Sequence, residues 1–124
     1  MVWKGVIIEE SLEDKSLLGL VRIIGTSSST LEAEEEKGSL HFHKVEVDDA
    51  AKNEFVDKAK RSIKNSWYIH ICRGETMVVI FTGKVFEFTK AQKDKLEQAR
   101  SYGLSIGILK EQLPTERLII DPYA

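Results

Sequence analysis

The sequence predicts an α+β fold: a largely antiparallel mixed sheet of about five or six strands, with two main helices packed on one side. Three observations predict it. Runs of β-branched and aromatic residues come in two groups, separated by a single amphipathic stretch at 48–65. The second group is broken only by Gly74-Glu75 and Gly83, which suits a tight meander. Strand and helix do not alternate regularly, as a doubly wound parallel sheet would require. The length of 124 residues predicts a single domain over 1–124, because most domains hold roughly 100–150 residues.

Each element has its own local reason. Val6, Ile7 and Ile8 give residues 2–10 the character of a strand buried on both faces. Ser11 to Asp14 has capping-box spacing and predicts a helical turn over 12–18. Val21, Ile23 and Ile24 predict a strand over 20–24, followed by a polar arm (Gly25 to Thr30), an acidic turn ending at Gly38, and a return strand over 39–47. In that return strand His41, His43, Val45 and Val47 share one face, while Leu40, Phe42, Lys44 and Glu46 share the other.

Asp48-Asp49 opens the clearest helix, with an apolar stripe of Phe55, Val56, Ala59 and Ile63, and Asn65 is its expected terminator. Strands are predicted at 67–73, 76–82 and 84–88, the middle one apolar on both faces. Thr89 and Gln92 form a capping box for a helix running to Tyr102, with Gly103 as its stop. Beyond it, a helical turn at 110–113 and a short strand at 118–120 are expected.

Composition narrows the function classes. Apolar residues are 42% and charged residues 31%, enough for both a core and a solvated shell, so a disordered chain is not expected. The net charge of −2 argues against a surface built to hold nucleic acid. One cysteine allows no internal disulfide and fits a reducing, cytoplasmic setting. No apolar run approaches the roughly 20 residues needed to span a bilayer, so no membrane partner is expected. Fourteen Glu and 13 Lys against two Asn and three Gln predict a heat-loving source.

All three histidines and the one cysteine fall in two short repeats, His41-Phe42-His43 and His70-Ile71-Cys72. On a strand, spacing of two puts each pair on one face, with Cβ atoms roughly 6–7 Å apart. Were the two strands neighbours, three imidazoles and a thiolate could hold Zn²⁺ tetrahedrally, or Cys72 could act as a nucleophile beside a histidine base. The plainer expectation is hydrogen-bonded histidines and a buried apolar-like cysteine, with no cofactor and no catalytic residue.

Other features carry similar pairs of readings. Gly25 to Thr30 could cradle a phosphate but lacks the lysine of a phosphate loop. Trp3, Trp67 and Tyr68 could wall a ligand or simply pack the sheet. Lys58, Lys60, Arg61 and Lys64, joined by Lys52, could meet phosphates or form a solvated face whose charge suits the helix dipole. Glu9-Glu10 with Asp14 offer paired carboxylates. Taken together, the residues favour a non-enzymatic binding or protein-interaction module, with a homo-oligomer or another protein as its partner. The alternatives are a small metal-dependent or cysteine-based enzyme built on His41, His43, His70 and Cys72, and a nucleic-acid accessory protein.

Overall fold

A computed structural model describes residues 1–29 and 38–124. The fold is α+β, with one six-stranded sheet in which every neighbouring pair is antiparallel. Its strands are β1 (Val2–Ile8), β2 (Arg22–Ser29), β3 (Leu40–Asp48), β4 (Ile69–Arg73), β5 (Thr76–Phe81) and β6 (Lys84–Thr89), in the order β2-β3-β1-β4-β5-β6. The helices are α1 (Lys52–Ser62), α2 (Lys93–Ser105) and the four-residue α3 (Arg117–Ile120). Short 3₁₀ turns at Glu9–Ser11 and Lys15–Leu20 join β1 to β2. The predicted acidic turn lies almost entirely outside the described residues.

The first strand is the seam of the molecule. β1 pairs with β3 on one side and β4 on the other, so it joins the first three strands to the later meander. The seam demands glycine at position 5, because a Cβ there would lie 2.0 Å from the His70 carbonyl oxygen. The meander turns as predicted, with Gly74 at φ 58 and Gly83 at φ 69.

The two main helices lie on opposite faces of the sheet, not on one. Consecutive residues of β5 point into separate cores. Val78 and Ile80 join Trp3, Ile7, Val45, Val47 and Ile71 beneath Phe55 and Ala59 of α1. Met77, Val79 and Phe81 join Cys72, Phe88, Leu96 and Ala99 of α2, with Leu118 and Ile119 of α3. The physical reason was already visible in β5: a strand apolar on both faces must be covered on both. Each fully buried side chain of this kind contributes about 1.5–3 kcal/mol.

Three local expectations shift. The segment at 118–120 is helical, because Leu118 and Ile119 pack their side chains onto the β4–β5 face of the sheet rather than pairing with a strand edge. Helix α2 runs through Gly103, where a Cβ would meet the Leu113 side chain at 2.5 Å, and stops before Gly107 at φ 95. That glycine therefore serves packing, and the terminator comes four residues later. Near the first turn, Asp14 rather than Ser11 is the cap, accepting from the Ser16 backbone N–H at 3.0 Å.

Candidate functional site

The histidine and cysteine pairs separate with the two cores. His43 pairs across to Ile7, and with His41 it occupies the α1 face. His70 pairs across to Val6 and Val79, and with Cys72 it occupies the α2 face. The sheet stands between the pairs, so the four residues do not converge on a common point. Among the described residues no group of three or more His, Cys, Asp or Glu side chains is placed to hold a metal ion.

On the α1 face each histidine is already occupied by a carboxylate from the turn after β1. The His43 ring donates from Nε2 to Glu9 Oε1 at 2.9 Å, and its Nδ1 accepts from the Thr26 hydroxyl at 2.8 Å. The His41 ring donates from Nδ1 to Glu10 Oε2 at 2.6 Å, and its backbone N–H reaches Glu10 Oε1 at 2.8 Å. The hydrogen bond from His43 holds Glu9 below the usual carboxylate range. Partial desolvation works against ionised Glu10, but the bonds from His41 prevail and bring its carboxyl down to about 2. In return Glu10 raises the His41 imidazole. Glu9 and Glu10 had registered in the sequence only as paired carboxylates, and their histidine partners lie over 30 residues away.

On the α2 face the sheet is covered unevenly. Helix α2 lies over the β5–β6 side, and the last segment of the chain, 106–124, packs α3 against β4 and β5 and reaches β4 and β3 through Pro122 and Tyr123. Between this segment and the sheet lies a cleft of about 310 Å³. Its walls are mainly apolar, with Val6, Ile8 and Phe42 from the sheet and Trp67, Ile108 and Leu118 facing them. The segment is moored to the sheet beside the cleft. The Pro122 carbonyl accepts from His70 Nε2 at 2.7 Å, and the Tyr123 hydroxyl donates to the Val45 carbonyl at 3.2 Å.

The polar lining of the cleft comprises Lys44, Tyr68 and His70, with Ser27, Ser66, Gln112 and Tyr123 around them. His70 is 6% exposed, and burial lowers its imidazole, which keeps the ring neutral. Because a carbonyl can only accept, the proton sits on Nε2 and Nδ1 is left as an acceptor. That nitrogen has no partner among the described residues. Tyr68 lines the same cleft, its phenol pushed up by burial. Lys44 stands in line with Val6 and His70 across β3, β1 and β4. Its ammonium lies 5.8 Å from the centre of the Tyr123 ring and makes no ion pair among the described residues.

The remaining candidates find ordinary partners. Cys72 is buried opposite Met77 of β5, and burial pushes its thiol up to about 12, well away from the thiolate a nucleophile needs. Residues 25–29 are part of β2, and Thr30 lies outside the described residues. The basic end of α1 is partly neutralised, since Arg61 and Lys60 both reach Asp57, and at the helix start Lys52 reaches Glu87 at 2.6 Å. Trp3 packs in the α1 core, whereas Trp67 and Tyr68 wall the cleft. No described helix is long and apolar enough to cross a membrane. Comparison with family models, with curated proteins and with solved structures gives no match to this chain.

Proposed function

We propose that this protein is a non-enzymatic binding module for a small, mostly apolar molecule held between the β3–β1–β4 face and segment 106–124. One observation carries the reading: a partly enclosed apolar cleft of about 310 Å³ containing a few polar atoms. Small-molecule sites have this character and occupy roughly 300–1,000 Å³. A dry cavity of about 150 Å³ takes benzene, so a compound of two fused rings is the right scale here.

The test is a titration with 2-naphthol followed by Trp67 fluorescence, in a Trp3→Phe background that leaves one reporter. Saturable binding that Val6→Trp abolishes supports the reading. A featureless titration in a folded protein refutes it.

A second reading rests on β2, whose outer edge has no strand neighbour among the described residues. Ile23 and Ile24 are 45% and 53% exposed there, and residues 23–29 carry no charge. Antiparallel pairing with β2 of a second copy would bring no like charges together and would cover both isoleucines. Sedimentation should then show a dimer that Ile24→Lys converts to monomer; a monomer at all concentrations rejects this assembly.

A further inference from the structure

Two of the cleft's polar residues, Lys44 and His70, are aligned across the sheet, and that arrangement narrows the ligand. Val6 pairs with Lys44 on one side and with His70 on the other. The lysine and histidine therefore stand two strand spacings apart, about 10 Å at the backbone, with the apolar Val6 between them. At one end is an exposed ammonium that lies 5.8 Å from the centre of the Tyr123 ring and makes no ion pair among the described residues. At the other is a buried imidazole whose Nε2 is fixed on the Pro122 carbonyl, so that its remaining nitrogen can only accept. A buried acceptor left unpaired costs about 1–3 kcal/mol, so a ligand that brings a donor to it recovers free energy.

We propose that the cleft takes an apolar carboxylic acid that carries a hydroxyl or N–H at its far end. The carboxylate sits at Lys44, the ring or chain lies over Val6 beneath Trp67 and Leu118, and the donor reaches His70 Nδ1. This assignment rests on the binding reading above, and it goes further by setting both charge and direction. A cationic ligand is disfavoured by Lys44. A ligand with only acceptors at its buried end leaves two acceptors facing each other.

Three probes of one ring system separate the parts: 2-naphthol, 2-naphthoate and 6-hydroxy-2-naphthoate. The hydroxy acid should bind most tightly. Lys44→Gln, a substitution at an exposed position, should weaken both acids about fivefold to tenfold and leave 2-naphthol within about twofold. His70→Phe keeps a ring of similar shape and should remove the advantage of the hydroxy acid over 2-naphthoate, about fivefold. Raised salt should weaken the acids selectively.

Binding of 2-naphthol with no preference for the acids, or acid binding indifferent to Lys44→Gln, overturns the ligand class and leaves the cleft standing as an apolar site. Failure of all three probes to bind overturns the binding reading itself. Should His70→Phe fold poorly, 6-methoxy-2-naphthoate gives the comparison on the unaltered protein, because its methoxy oxygen has no proton to offer His70 Nδ1: it should bind about fivefold more weakly than the hydroxy acid, and equal binding overturns the role of His70.

Discussion

The two faces of the sheet treat the same residue type in opposite ways. On the α1 face, His43 is buried with both ring nitrogens bonded, and the surrounding core closes over Phe55 and Ala59. On the α2 face, His70 is equally buried but has one bonded nitrogen among the described residues and lines an open cleft. The first arrangement spends every polar atom on holding the fold. The second leaves one ring nitrogen without a partner among the described residues, in a side chain that lines the cleft. A buried histidine is thus a clue to function only when its neighbours are known.

This contrast can be broken or sharpened by mutation. The largest effect is expected where both faces meet. Gly5→Ala drives a methyl into the β4 backbone and should leave little folded protein, a loss above about 4 kcal/mol by circular dichroism during urea titration. Next comes a matched pair. Phe55→Ala empties a fully buried site and should cost about 3–5 kcal/mol. Phe42→Ala removes a half-buried ring beside the cleft and should cost under about 1.5 kcal/mol. Equal losses would mean that the two faces are equally well packed.

Smaller effects follow from protonation. The folded state depresses His70, so its unfolded form binds the proton more readily. Stability contributed there is complete above the unfolded value near 6.5 and declines as pH falls below it. Melting curves of His70→Gln should lack that part of the acid slope. An unchanged slope would show that the ring takes up its proton as easily when folded.

His41 behaves in the reverse sense. Its raised pKa stabilises below about 6.5 and fades as pH climbs through the folded value. Its partner Glu10 stabilises above the ordinary carboxylate range and is lost as pH drops toward about 2. The pair therefore helps most near pH 5–6, by a small amount because the His41 side chain is 51% exposed. His41→Ala should lower the midpoint there and leave it unaltered above about pH 8. A constant difference at every pH would point to packing instead of charge.

The positions of strands and helices were largely legible because they depend on neighbouring residues. Alternation along 39–47 correctly put His41, His43, Val45 and Val47 on one face. The apolar stripe of α1 found Phe55 and Ala59. Where the reading slipped, a distant contact had overruled a local preference. Leu118 and Ile119 look like strand residues but are held in a helical turn against β4 and β5. Gly103 looks like a helix stop but is a point of close approach to Leu113. The candidate site was legible only in fragments: Trp67, Tyr68 and His70 drew notice, whereas Lys44 and Tyr123 did not. Neither of those two bears any local signature, and they meet across 78 intervening positions through the Tyr123 bond to Val45.

The sequence by itself determined that β5 is apolar on both faces, that histidines alternate in phase with valines, and that tight turns fall at Gly74 and Gly83. Periodicity and backbone sterics act over a few residues, so these features need no knowledge of the rest of the chain. Only the tertiary structure decided which face each helix covers, that His41 and His43 are kept apart from His70 and Cys72, and that segment 106–124 leaves a cleft over the sheet. Strand order decided these things, because pairing β1 with both β3 and β4 sets the two repeats in one sheet with opposite sides outward.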